Sequence, residues 1–288
     1  MYEVIVNPAA RNGQARQIGE EAERYLKEKQ VDFVIRYTEY PGHATELARD
    51  AANRGVKTVI AMGGDGTVCE TAAGLVHTNT SLGIAPAGTG NDFIKTIGTP
   101  RNWKEALDFI LTHPARPVNT GEVNDHFFLN VCGGGFDVLT LTYALEAKKH
   151  VKGIWPYLYG VLRAIRTFKP FKMHIQVGDD LTLDKDCMIC TIANGRYIGG
   201  GIPIASMADV EDGLLDVLVV DAVPRWKIPF YLPSLMGGSL YKRKVAHHYR
   251  VKTCSLSSPG MMLNLDGEIL PIEESHYRIF TDALKVHW

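Results

Sequence analysis

The chain is short of charge imbalance, of cysteine and of long apolar runs, and each shortage excludes something. Lys and Arg number 31 against 32 Asp and Glu, a formal net charge of −1, so the basic excess that serves generic nucleic-acid binding is missing. No stretch approaches ~18 consecutive apolar residues, the length that reads as a spanning helix. The opening "MYEVIVNPAARNGQ" runs directly into a strand pattern without a basic segment followed by an apolar one, which speaks against a secretory signal. The five cysteines are odd in number and scattered. Only Cys187 and Cys190 have CxxC spacing, in an apolar strand-like run with no second pair. They read as buried thiols, with a metal or redox pair as the alternative. Nothing in these features argues against the cytoplasm, which is the expected location. Internal repeats and low-complexity segments are also missing.

What is present is ordinary for a folded soluble protein: 288 residues, with 45% hydrophobic and 22% charged, enough for two domains. In the first third, short apolar runs alternate with amphipathic patterns: the strand "YEVIVNP", the helix "ARQIGEEAERYLKEK", the strand "VDFVIRYT", the helix "HATELARDAANRG", the strand "VKTVIAM" and the helix "TVCETAAGLVH". The strand "LGIAP" and helices near 91–97 and 102–112 complete it. This order implies parallel strands with crossover helices. Past residue 118 the runs "GEVNDHFFLNVCGGGFDV", "KMHIQVG", "LTLDKDCMICTIANG", "GLLDVLVVDAV" and "HYRVKTCSLSS" are separated by Gly, Asp and Asn turns, the pattern of a mainly antiparallel domain. Helical stretches near 140–168 and, more weakly, 225–240 interrupt it. The expected division is 1–120 and 121–288, with the last run "YRIFTD" assignable to either part.

The turn "AMGGDGTVCE", residues 61–70, joins a strand to a helix without the lysine and Ser/Thr of a phosphate loop of the GxxxxGK[ST] kind. Its glycines let a ligand approach the backbone, and amides at the following helix start attract phosphate oxygens. Asp65 repels phosphate unless it binds a cation or accepts hydrogen bonds from hydroxyls; otherwise it caps a structural turn. A second turn, "APAGTGNDF", has Gly88 and Gly90 with Thr89, Asn91 and Asp92, and Asn91 or Asp92 can equally cap the next helix. Both turns fall at carboxyl ends of strands, where open parallel sheets bind ligands. Asn7, Arg11 and the Gly13 turn offer a third wall, and Thr38 ends the second strand.

In the second half, Asp209 and Asp212 precede Gly213 and Leu214; two carboxylates and a turn carbonyl suit a hard cation such as Mg²⁺, or form a solvated acidic turn. "LNLDGEI", residues 263–269, reads as a hairpin that projects Asp266 and Glu268 to one side. Glu268 is placed to take a proton from an alcohol, or else belongs to a plain turn.

In this order, "NPAARNG", "GGDGTVCE", "PAGTGNDF", "GGGFD", "NGRYIGGG", "DVEDGLLDV" and "LDGE" resemble the diacylglycerol kinase catalytic family, especially its small soluble bacterial members. The resemblance implies an α/β protein of two domains: an N-terminal phosphofructokinase-like three-layer domain and a C-terminal β-sandwich. It implies transfer of the ATP γ-phosphoryl to a lipid hydroxyl with Mg²⁺, in a cleft between the domains. By the same resemblance Gly63, Gly64, Asp65, Gly66 and Thr67 form the nucleotide loop, with Asp65 organising Mg²⁺-ATP. Asn7, Arg11, Thr38, Thr89 and Asn91 lie around the nucleotide. Asp209, Asp212 and the Leu214 carbonyl form a structural Mg²⁺ site, and Glu268 is the general base with Asp266 beside it. Three positions depart from the family pattern: Cys69 where asparagine is common, Ala10 and Arg11 where Ser-Gly is common, and Lys95 where arginine is frequent.

Residues 148–172 carry seven Lys or Arg and no acid, interleaved with Trp155, Tyr157, Leu158, Leu162 and Phe168. Such a stretch suits an anionic bilayer surface, or a helix with a solvated basic face. The expected partners are therefore ATP, a lipid alcohol such as diacylglycerol and, peripherally, the membrane, with no nucleic acid. A homodimer is compatible with this, though no stretch argues for one. The rival functions are an NAD kinase, against which "GTGNDF" and the late "LDGE" stand, and a non-enzymatic nucleotide or lipid sensor.

Overall fold

Parallel strands need crossover connections, and the first third of the chain supplies a helix after each strand. The computed structural model describes residues 1–148, 151 and 155–288. These divide into two units: Met1–Thr120 with Val210–Asp212 and Phe280–Trp288, and Gly121–Asp209 with Gly213–Ile279.

The first unit runs β1 (Tyr2–Val6), α1 (Gln14–Glu28), β2 (Phe33–Tyr37), α2 (His43–Asn53), β3 (Thr58–Gly63), α3 (Asp65–Leu75), β4 (Ser81–Pro86), α4 (Asp92–Ile97) and α5 (Trp103–Thr112). The strands lie parallel in the order β4-β3-β1-β2. Val4 and Val6 pack on one face with Ala15, Ala22 and Leu26 of α1 and Leu107 and Ile110 of α5. Gly83 is needed there, because a Cβ would lie 2.8 Å from the Ile110 Cδ1. On the opposite side of the pleat, Glu3 is fully buried. Its carboxylate pairs with Arg54 at 2.6 Å and Arg36 at 3.2 Å.

The second unit contains β5 (Ala115–Val123, which begins in the first unit), β6 (His126–Phe128), β7 (Val131–Gly135), α6 (Phe136–Lys148), α7 (Trp155–Thr167), β8 (Phe171–Val177), β9 (Leu181–Ala193), β10 (Leu215–Asp221) and α8 (Ile228–Met236). It continues with β11 (Ala246–Val251), β12 (Thr253–Ser257), β13 (Met262–Leu265), β14 (Glu268–Pro271) and β15 (Glu274–His287, which ends in the first unit). Pairing is antiparallel, with β9 bonded to β7, β8 and β10. Alternation along β10 sends Val217 and Val219 into one apolar layer with Ile175, Ile192 and Leu256. Leu218 and Val220 enter another, against Phe136, Phe168 and Ile228. Both layers are apolar, so β10 reads as a continuous hydrophobic run.

Three expectations need adjustment. The helical stretch near 140–168 is two helices, α6 and α7, packed closely at Gly160, where a Cβ would sit 2.5 Å from the Thr140 carbonyl oxygen. Lys149, His150, Lys152, Gly153 and Ile154, part of the basic run 148–172, lie outside the described residues. "HYRVKTCSLSS" is two strands divided at Lys252, whose carbonyl accepts from the Ile279 amide. Finally, "YRIFTD" lies inside one long strand. Thr253–Ser257 pairs with Glu274–Arg278, whereas Lys285 and Val286 lie parallel to Ser81 and Leu82 of β4. His287 anchors that end: its Nδ1 donates to the His113 carbonyl at 2.8 Å, leaving Nε2 as acceptor for the Ser81 hydroxyl at 3.0 Å. All five cysteines are free thiols, and burial pushes Cys187 up to about 11 and Cys190 well above its ordinary value.

Asp137 opens α6, and its Oδ1 is enclosed. Burial pushes the carboxyl up to about 6, against the amides of Val138 and Asp137 and the Asn264 side chain, which favour the charged form. Between its ordinary value and pH 6 the folded chain keeps a proton that the unfolded chain has released, so this group's contribution to stability falls as pH rises through that window. Asp137→Asn is therefore expected to match the parent near pH 4 and to exceed it above pH 6 by roughly 2–3 kcal/mol, read from thermal unfolding across pH. An offset independent of pH contradicts this. Arg54→Ala leaves the buried Glu3 with Arg36 alone, and a loss of about 2 kcal/mol in chemical denaturation is expected.

Candidate functional site

The carboxyl ends of β1, β3 and β4 carry the three glycine-bearing turns, and the structure brings two of them into backbone contact. A Cβ on Gly88 would lie 2.3 Å from the Gly64 Cα, so only glycine fits. Gly63 is held equally tightly, since a Cβ there would lie 2.4 Å from the Thr67 hydroxyl oxygen. Asp65 fastens the two turns: its carboxylate accepts the Asn91 amide at 2.7 Å and the Asp92 amide at 2.5 Å. Burial and the neighbouring Asp92 raise its pKa, while those two amides and Lys95 oppose the rise. Asn91 takes a left-handed conformation (φ 54°) and its side chain donates to the Gly88 carbonyl at 3.2 Å. Lys95 donates to the Gly90 carbonyl at 2.7 Å and pairs with Asp92 at 3.0 Å. Lysine's single ammonium therefore serves the loop itself.

Asn7 joins the third wall to the same place. Its amide side chain donates to the Thr67 hydroxyl at 3.0 Å and accepts from the Ala9 amide at 3.0 Å. Arg11 and Asn12 both adopt left-handed conformations, with φ of 52° and 58°, ahead of Gly13. Two adjacent non-glycine residues in that region are uncommon and store strain; the Arg11 side chain is exposed. Thr38, after β2, donates its amide to the Val6 carbonyl at 2.9 Å, and Thr89 is exposed at the tip of the second turn. Gly64, Gly66 and the first turn of α3 leave helix-start amides beside these groups, a ready phosphate-binding arrangement. Cys69 is half-buried, and Glu70 beside it accepts the Ala44 amide at 3.3 Å, capping the start of α2. Sequence reading missed that cap, because it joins two helices 26 residues apart.

In the second unit, the hairpin turn of "LDGE" docks on residues 129–131. Asp266, at φ 47°, accepts the amides of Leu129 at 2.6 Å, Asn130 at 3.0 Å and Val131 at 2.8 Å. Bonds to a charged acceptor are the stronger kind, so Asp266 acts as a clamp. The Gly267 amide donates to Asn264 Oδ1 at 2.9 Å, and the Asn264 side chain in turn favours charged Asp137. A buried acid of "GGGFD" is thereby linked to the turn. The signal was a carboxylate in an otherwise apolar run. Glu268, the first residue of β14, is exposed. Asn194 of "NGRYIGGG" donates to the Leu129 carbonyl at 2.7 Å, so the same short segment supports both motifs.

Asp209, Asp212 and Leu214 occupy the loop leading into β10, turned by Gly213 at φ 72°. Among the described residues no group of three His, Cys, Asp or Glu gathers to hold a metal. The loop's own donor set, two carboxylates and a carbonyl, is all hard oxygen and fits a divalent cation that retains waters. Elsewhere in the second unit, a cavity of about 650 Å³ lined by Lys172, His174, Lys185, Ser257 and Glu273 contains none of the expected site residues. An apolar groove of about 670 Å³ between α6 and α7 is lined by Val151, Trp155, Leu158, Tyr159 and Leu162.

Residues 2–123 match the diacylglycerol kinase catalytic domain. Residues 130–288 match the YegS C-terminal NAD kinase beta sandwich-like domain. A probable YegS-like lipid kinase of Pseudomonas putida is 33% identical over 255 residues, covering 88% of this chain and 84% of the relative. One from Yersinia enterocolitica is 32% identical over 264 residues, covering 90% and 87%. The crystal structure of a putative diacylglycerol kinase from Bacillus anthracis str. Sterne superposes with a TM-score of 0.81 at 27% identity, covering 100% of this chain and 97% of that one. An NAD kinase from Archaeoglobus fulgidus in complex with ATP gives a TM-score of 0.55 at 13% identity, covering 100% and 94%, a likeness of fold alone. With both of its domains matched and its YegS-like relatives aligned over most of their length, the chain belongs to the family of YegS-like lipid kinases built on the diacylglycerol kinase catalytic domain.

Proposed function

We propose that this protein transfers the γ-phosphoryl group of ATP to the hydroxyl of a membrane lipid, diacylglycerol or a related lipid alcohol. The observation that carries the proposal is the fastening of the "GGDGT" and "GTGND" turns by Asp65 and by Gly64–Gly88 contact, at the carboxyl edge of a parallel sheet. Phosphates lie against amides of Gly64, Gly66 and Thr67 at the start of α3, with Asn7, Arg11, Thr38, Thr89 and Asn91 around the nucleotide. Asp65, whose charged form is disfavoured by burial and by Asp92, gains from a cation arriving with ATP. Mg²⁺ supplies neutralisation of the transferring phosphoryl group when bound. Asp209, Asp212 and the Leu214 carbonyl would hold a second, structural Mg²⁺, whose charge would offset that of the two carboxylates in the loop before β10.

Glu268 is exposed and is the base that accepts the proton of the lipid hydroxyl as the hydroxyl oxygen attacks the γ-phosphorus and the bond from that phosphorus to the β,γ-bridging oxygen breaks, releasing ADP. Asp266 positions it by clamping the turn to Leu129, Asn130 and Val131. The lipid is met at the cytoplasmic bilayer surface, where the exposed Trp155, Leu158 and Leu162 of α7 and its basic neighbours make peripheral contact. Adjacent Lys and Arg complement anionic headgroups.

Glu268→Ala is expected to lower kcat by about 100-fold or more while leaving the KM for ATP and the melting temperature near those of the parent. Asp65→Ala is expected to lower kcat and also to raise the KM for ATP, since it releases the second turn. Near-normal turnover in either variant removes the role given to that residue. Gly88→Ala pries the turns apart and is expected to raise the KM for ATP about tenfold or more with the KM for lipid unchanged. Steady-state kinetics with ATP and lipid varied in turn separates these outcomes.

A further inference from the structure

A short helix of the second unit is apolar on every side, yet only half of it is covered. In α8, Ile228 and Ser234 are buried, and Tyr231 and Leu235 pack against the layer that contains Phe168 and Leu218. The opposite side carries Phe230 and Met236, 71% and 61% exposed, and the preceding turn carries Trp226, 67% exposed. Helices without a polar face are normally enclosed; three large apolar side chains this exposed on one short element call for a second apolar environment.

The element is held firmly. Arg243 Nε donates to the Ser234 hydroxyl at 2.7 Å, and Arg225 Nε donates to the Phe168 carbonyl at 3.0 Å. The rings of Trp226 and Phe230 meet edge to face at 6.4 Å, and the Lys227 ammonium sits 5.2 Å from the Trp226 ring centre. From residue 222 to residue 265 the sequence has seven Lys or Arg and no Asp or Glu. Arg225 and Lys227 flank the aromatic pair, and exposed Lys242, Arg243 and Lys244 follow the helix.

We infer that residues 225–244 form an interfacial anchor in which Trp226, Phe230 and Met236 enter an anionic lipid surface while the flanking Lys and Arg meet its headgroups. The helix has nine residues, about 13 Å at the rise of an α-helix, a length that lies in the interface and does not cross it. A second copy of the chain is the poorer occupant, because two such segments would set basic flanks against each other with no acid to answer them. The anchor is distinct from the exposed face of α7, and its purpose rests on the lipid-kinase function proposed above.

The test uses the full chain and a Trp226→Ala/Phe230→Ala variant. Sedimentation with phosphatidylglycerol–phosphatidylcholine vesicles is expected to show at least about tenfold weaker binding by the variant. Its melting temperature and its turnover of a short-chain, monomerically dissolved lipid alcohol are expected to match the parent. Trp226 emission, taken as the difference between parent and Trp226→Phe, should shift to the blue and be quenched by brominated acyl chains. Unchanged vesicle binding with unquenched emission overturns the anchor. A parent dimer that the double variant converts to monomer also overturns it and assigns the patch to self-association. If no lipid is phosphorylated but vesicle binding still falls in the variant, the kinase proposal fails and the anchor stands.

Discussion

One carboxylate, that of Asp65, accepts the amides of Asn91 and Asp92, and the geometry of the nucleotide half of the protein depends on that fastening. The two turns follow neighbouring strands, β3 and β4, whose register sets Gly63 opposite Pro86. The strands deliver the turns to adjacent positions, but only glycine at position 88 lets their backbones touch. A lysine in place of Asp65 would offer donors where the structure needs an acceptor for two amides. The acid therefore has a structural duty in the loop, to which the proposed function adds a chemical one toward a cation that accompanies phosphate.

The second unit repeats the device with different residues. Asp266 accepts three consecutive amides of Leu129–Val131, and Asn264 ties the same turn to buried Asp137. The exposed Glu268 sits one residue past this anchored turn. In the proposed function the group that exchanges a proton stays in solvent, while its neighbour supplies rigidity. Carrying an enclosed acid such as Asp137 costs stability, and Asn264 is the link between that acid and the turn.

Local sequence made much of this visible. Glycines at strand ends, the alternation of apolar runs with amphipathic helices, and the DG apex of the hairpin are signals contained within a dozen residues, and each corresponds to an observed element. The missing parts depend on partners far along the chain. "YRIFTD" could not be assigned by its own pattern, because β15 pairs with β12 at one end and β4 at the other. Asp266 read as a companion to the base, since its amide partners lie about 136 residues earlier. The break between α6 and α7 carries local signals, Gly153 and then Pro156 in the first turn of α7, that the apolar pattern running through both helices obscured. α8 reads as a weak helical run because its exposed face is as apolar as its buried one. A hydrophobic pattern tells which side chains avoid water and says nothing about which of two apolar environments receives them.

The most direct measurement gives the purified protein Mg²⁺ and ATP labelled in the γ-phosphoryl group, together with a bacterial lipid extract and NAD in the same reaction, and follows the label by phase separation and product mass. The account predicts label in the organic phase, on a lipid alcohol that has gained one phosphoryl group. Label confined to the aqueous phase, on NAD or as inorganic phosphate, would contradict it.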